Sequence, residues 1–223
     1  DKIAAQILIE LNEKAIPSIR AEFGKASLEV QKEIITVLGN MKSDSAREML
    51  FDLLKHKNYK VRIFTLQALT KHAGEKTIRQ VLAALSDEDP DVRIAALYTL
   101  ERFRVPKTYP HITDMLEDPE INVRVAAAKA LGKIKARETL PYLVDALKDS
   151  FWWYERDEAL DALMESISSF GHAAREDLIT AMEEKSPTLR RYAIQLLRPL
   201  KDPRIMDALE MAFYDPNYDL AEN

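Results

Sequence analysis

Apolar residues along the chain recur at the i, i+3, i+4 and i+7 spacing of amphipathic helices, and the helices so marked come in pairs, A and then B. The A helices close on an apolar residue in one register: Phe23, Leu54, Leu85, Leu116 and Leu147, each 31 residues after the one before. The B helices open at Val30, Val61, Val92 and Val123, then one residue late at Glu155-Arg156 and again at Leu189-Arg190. The pattern predicts A helices near 15–23, 45–55, 76–86, 107–117, 138–148, 173–184 and 203–214. It predicts B helices near 28–39, 59–72, 91–103, 122–134, 155–169 and 188–198. An opening helix runs from Ile3 to Leu11, with no A helix before it. Six A/B pairs result, the last two irregular, and after Asp215-Pro216 only Asn217 to Asn223 remain for a further B helix. That shortfall, with aspartate in place of an initiator methionine, leads us to expect a piece of a longer protein.

The turns carry matching punctuation. Asp87 to Asp91 and Asp118-Pro119-Glu120 set a proline and acidic residues between A and B, where the positive end of the next helix dipole favours them. Ser186-Pro187-Thr188 makes a similar break. Pro17, Pro110 and Pro141 share another register, in the first turn of an A helix, where a missing N–H does little harm. The stretch Val123 to Leu131 has versions at Val92–Leu100 and Val61–Leu69, so it reads as a repeat signature.

With Asp89-Pro90-Asp91-Val92-Arg93, and Val123-Arg124 through Leu131-Gly132, the chain resembles HEAT repeats, in particular the phycobilisome-lyase HEAT-like type. The resemblance is strongest from about 45 to 150 and looser outside. It implies an all-α, right-handed solenoid of about six to seven stacked hairpins, with B helices lining a concave surface, in one domain over residues 1–223. It also implies protein binding or scaffolding more than catalysis; lyase activity is not carried over, because the repeat recurs in many unrelated proteins.

Composition agrees with a helical array: 47% hydrophobic, 31% charged and only five glycines. No apolar run approaches the roughly 20 residues that span a bilayer. The chain has no cysteine, which excludes disulfides, thiolate metal sites and cysteine nucleophiles and suits a cytoplasmic location. The net charge of −5 speaks against general nucleic-acid affinity, which needs a clustered basic face.

Several features compete as sites. Arg62, Arg93, Arg124, Arg156 and Arg190 recur as a ladder that could hold anions. Asp87, Asp118 and Asp149 precede Arg93, Arg124 and Arg156 by six, six and seven residues, which favours an Asp/Arg ladder tying the turns of the stack together. On the B helices Lys71, Arg102 and Lys133 share a register, with Gln67, Tyr98 and Lys129 one turn earlier on the same face. Stacking would align them into a partly basic track for an acidic peptide, with the sign changing at Asp161 and Glu165; helix-dipole complementation is the plainer role for such residues. Phe151-Trp152-Trp153-Tyr154 replaces a turn that is otherwise Asp/Pro-like, either as an interface anchor or as filler for an irregular seam.

Trp153, Asp157 and Arg191 are similar to the Trp, Asp and Arg arrangement of HEAT-like alkylpurine DNA glycosylases, which would make the protein an enzyme that excises damaged bases. The regular period, the acidic charge and the lack of any tryptophan after Trp153 depart from that pattern. His56, His72, His111 and His172 show no metal-ligand spacing, and no cofactor is implied. The reading is therefore a non-catalytic scaffold or adaptor for a protein or acidic peptide, contacted through Gln67, Lys71, Tyr98, Arg102, Lys129, Lys133, Trp152, Trp153 and Tyr154. Alternatives are the glycosylase and a spacer or regulatory arm.

Overall fold

A computed structural model describes residues 12–41, 43–149, 157–184 and 186–200. They are all-α and fall into helical hairpins. Twelve α-helices alternate in the A and B roles: α1 (Ile16–Phe23), α2 (Leu28–Asn40), α3 (Asp44–Leu53), α4 (Tyr59–Leu69), α5 (Glu75–Ala83), α6 (Pro90–Phe103), α7 (Tyr109–Asp114), α8 (Ile121–Ile134), α9 (Leu140–Ala146), α10 (Asp157–Ser168), α11 (Arg175–Glu183) and α12 (Pro187–Leu197). These are the six expected pairs, with boundaries moved by a few residues. The opening helix at 3–11 and the A helix near 203–214 lie outside the described residues.

Local chemistry explains the boundaries. Ser27, Ser43, Asn58, Asp89 and Ser186 precede α2, α3, α4, α6 and α12, and each side chain accepts a backbone N–H of the first turn that the helix itself cannot satisfy. Pro17, Pro110 and Pro141 fall at the second residue of α1, α7 and α9. A 3-10 turn leads into each of these three helices. Both α6 and α8 end on a left-handed residue, Arg104 (φ 51°) and Lys135 (φ 55°), whose N–H bonds the carbonyl of Leu100 or Leu131.

Contacts group the residues into two compact units, Asp1–Thr108 and Tyr109–Asn223. The described part of each unit holds three A/B pairs. In the first, α2 packs on α4 and α4 on α6; in the second, α8 packs on α10 and α10 on α12. Leu38, Leu69, Leu100 and Leu131, one per B helix at the common period, are wholly buried. Burying such a side chain contributes about 1.5–3 kcal/mol. Val61, Val92 and Val123 are buried as well, whereas Val30 is exposed on the first B helix, which has no B helix before it among the described residues.

Two glycines set how closely B helices approach. A Cβ on Gly39 would lie 2.8 Å from the Cβ of Ala68, and one on Gly132 would lie 2.9 Å from the Cα of Ser166. The carbonyls of these glycines are among the last of their helices and have no partner along the helix. His72 Nε2 donates to Gly39 O (2.9 Å) and Ser169 Oγ to Gly132 O (2.8 Å).

Candidate partner-binding face

Beneath the surface lies the arginine ladder. Arg62, Arg93, Arg124 and Arg190 are all buried. Arg62 Nη1 donates to His56 O (2.9 Å), Arg93 Nη1 to Asp87 O (2.9 Å) and Arg124 Nε to Asp118 O (2.5 Å), in each case a carbonyl six residues back. The carboxylate partner stands 25 residues ahead: Arg62 Nη2 meets Asp87 Oδ1 at 2.7 Å and Arg124 Nη1 meets Asp149 Oδ2 at 2.5 Å. Asp87 thus ties two repeats, through its carboxylate to Arg62 and through its carbonyl to Arg93. Its Oδ1 also accepts the N–H of Asp89 (3.0 Å). The first rung is neutral: Gln31 stands in the arginine register and donates to Phe23 O (3.0 Å). His56 stands in the aspartate register, its Nδ1 accepting the N–H of Asn58 (3.1 Å) as Asp87 accepts that of Asp89. With Nη1 and Nη2 of Arg62 and Nε and Nη1 of Arg124 bonded within the packed turns and both side chains buried, these two arginines offer no stripe for anions. Arg156 lies outside the described residues.

In the first unit Gln67, Lys71, Tyr98 and Arg102 are exposed on one face of α4 and α6 and just beyond α4. Lys71 Nζ contacts Asn40 Oδ1 on α2. Tyr98 is among the few large apolar side chains left open, at 43% exposure. Gln67, Tyr98 and Arg102, but not Lys71, border a groove of about 350 Å³ between the two helices, lined by Ile63, Gln67 and Thr70 on one side and by Asp91, Ile94, Tyr98 and Arg102 on the other. Ile63 and Ile94 escaped the sequence reading because apolar residues on a B helix look like core. The available signal was their position, one turn before Gln67 and Tyr98 and 31 residues apart.

In the second unit Lys129 and Lys133 are exposed on α8, and Asp161 and Glu165 are exposed on the neighbouring α10. The clefts here lie on the A side. One, of about 460 Å³, includes Glu117, Tyr142, Asp145 and the Arg124–Asp149 pair; another, of about 310 Å³, runs between α9 and α11. Their charges are largely spent on joining helices. Lys148 bridges Asp145 (2.5 Å) and Glu184 (3.0 Å), and Arg137 meets Asp177 (2.5 Å). Hydrogen bonds that Lys148 donates to Asp145 and Glu184 push its ammonium above its ordinary value. In the first unit Lys107 pairs with Glu75 (2.9 Å) and holds that carboxyl below the usual range.

Trp152, Trp153 and Tyr154, with Phe151, lie outside the described residues, as does the Asp157 side chain. Arg191, the third member of the glycosylase-like set, lies over the ring of Tyr192 at 4.9 Å and donates to its Oη at 2.9 Å. Among the described residues no group of histidine and carboxylate side chains could hold a metal ion, and no helix is long and apolar enough to cross a membrane.

The HEAT-repeat family profile matches residues 16–85 and 78–164, well over half of the chain. The chain belongs to the HEAT-repeat family. A HEAT protein of this kind presents helical hairpins whose inward residues serve the stack, as the ladder and the leucine register do here. A solved structure described as the complex of CpcE and CpcF of phycocyanin lyase from Nostoc sp. PCC7120 is similar at 20% identity, covering 76% of this chain and 71% of that one, with a TM-score of 0.49. No curated protein matches the sequence.

Proposed function

We propose that this HEAT-repeat chain is a non-catalytic interaction scaffold that holds a protein or acidic peptide on its B-helix face. The observation that carries this reading is the sorting of charge. The ladder residues Arg62 and Arg124 are paired with carboxylates inside the packed turns, while the B-face residues Gln67, Lys71, Tyr98, Arg102, Lys129 and Lys133 remain exposed. A rigid helical array offers many weak contacts without a large ordering cost, which suits an extended partner. Trp152, Trp153 and Tyr154 belong to the proposal as anchors, on the strength of their residue types alone. The reading places the module in the cytoplasm.

The test is a charge-reversed triple variant, Lys71→Glu, Arg102→Glu and Lys133→Glu. A partner captured from lysate and then purified should bind it more weakly than the unaltered chain, with helicity and melting nearly unchanged. Equal affinity for both proteins would remove the B-helix cations from the reading. Excision of methylated bases by the purified protein, lost in Asp157→Asn, would replace it with the glycosylase.

A further inference from the structure

The groove between α4 and α6 has a direction. Asp91 stands at the end where α6 begins and Arg102 at the end where it finishes. Both are exposed, and neither has an ion-pair partner among the described residues. Half-buried Ile63 and Ile94 lie in the middle stretch, with Tyr98 beside them. Each charge also suits the dipole of α6, negative near the N-terminus and positive near the C-terminus, so their placement costs the helix nothing. The separation is eleven residues of helix, about 16 Å, which an extended peptide spans in about five residues. The volume of about 350 Å³ falls in the range of ligand pockets and leaves room for an apolar side chain against the isoleucines.

We propose that this groove binds a short extended peptide segment with an apolar centre, its acidic end at Arg102 and its cationic end at Asp91. The inference rests on the B-helix face being a protein-binding surface and adds to it a location, a partner chemistry and an orientation. Charge complementarity sets the orientation, because the opposite placement would put like charges together at both ends. The apolar centre supplies affinity, because Ile63, Ile94 and the open face of Tyr98 are the surface that water gives up on binding. The corresponding face of α8 and α10 does not offer this combination, since Lys129 and Lys133 stand beside Asp161 and Glu165.

The probe is a seven-residue peptide, capped at both ends, with lysine first, leucines in the centre and two glutamates last, carrying a nitroxide at one end or the other. Bound to the full chain, the label at the glutamate end should broaden the amide signals of Thr70 and Arg102, and the label at the lysine end those of Asp91 and Val92. Arg102→Glu should weaken binding about tenfold, while Arg79→Glu, exposed on the A helix α5 and outside the groove, should leave it unchanged. The double exchange Asp91→Lys with Arg102→Glu should restore binding and reverse the two broadening patterns. All of these changes are on exposed side chains, and circular dichroism checks that the helices persist. Binding that responds to Lys129→Glu and not to Arg102→Glu overturns the groove while leaving the B-helix face as the binding surface. Broadening that ignores the double exchange overturns the orientation. No binding at millimolar peptide overturns the groove, and the purified-partner experiment then decides the broader reading separately.

Discussion

The two units are built to one period and differ in where they leave surface uncommitted. In the first, the space between B helices is an apolar groove with a charge at each end, whereas on its A side Arg20–Asp52 and Lys76–Glu48 link successive A helices and Lys107–Glu75 ties the 3-10 turn at 106–108 to α5. In the second, the B face carries opposite charges on adjacent helices and the clefts lie on the A side, where Lys148 and Arg137 span them. The stack constrains only the residues that pass inward. Once the leucine register and the arginine rung are satisfied, outward positions vary freely, so two units with one scaffold present different surfaces.

The rungs give the strongest way to break that comparison. The Arg62–Asp87 side chains are 7% and 14% exposed, against 11% and 45% for Arg124–Asp149. Removing one partner of a buried pair leaves the other charge unpaired, so Arg62→Ala should lower stability by about 3–5 kcal/mol. Arg124→Ala should cost less, about 1.5–3 kcal/mol, since water reaches Asp149. Urea unfolding of both variants measures the difference; equal losses would show that burial of the carboxylate is not what separates the rungs.

Smaller effects come from the close helix approaches. Gly132→Ala should lose about 1–3 kcal/mol from overpacking, because the new methyl meets the Ser166 backbone, which cannot turn aside. In Gly39→Ala the new methyl meets the Ala68 Cβ at 2.8 Å and its backbone at 3.1 Å, so a similar loss is expected, and in both variants alanine's helix preference of about 1 kcal/mol offsets part of the cost. Melting temperatures measure both losses, and a stabilised Gly132→Ala would refute the close contact.

The smallest effects separate the units by pH. Glu75 is held below its ordinary value, first by the hydrogen bond from Lys107 and then by that residue's charge. Its contribution is therefore present above the unfolded value, about 4.3, and is lost as pH falls through the folded one. Lys148 is raised by hydrogen bonds to Asp145 and then Glu184. Its contribution is full below the unfolded value, about 10.4, and is lost as pH rises through the folded one. Both links are largely exposed and worth little each. Comparing melting against pH for Glu75→Gln and Lys148→Met should flatten the acid limb in the first and the alkaline limb in the second; the reverse pattern would undo the assignment.

Helix pairs, their period and their turns were readable in the sequence, because apolar spacing, the acidic residues of the turns and the prolines act within a few residues of where they stand. The ladder was readable as an Asp/Arg pattern, but not its wiring. Asp87 lies six residues before Arg93 and 25 after Arg62, and only the packed turns show that the near arginine takes the carbonyl and the far one the carboxylate. His56 gave no sign of standing in for an aspartate, since a lone imidazole announces no partner. The groove is half visible in the sequence: Gln67, Tyr98 and Arg102 mark one helical face, whereas nothing sets Ile63 and Ile94 apart from the buried apolar residues of the B helices.

Local rules thus determined the all-α repeat, its membership-bearing signature and its register from sequence alone, because every turn of helix repeats the same short-range chemistry. The tertiary structure decided what depends on the distance between helices: that Gly39 and Gly132 are close-approach positions while Gly24 and Gly74 have open space around them, and that two isoleucines remain within reach of a partner. Periodicity places a residue on a face, and only packing establishes whether a neighbouring helix has already covered it.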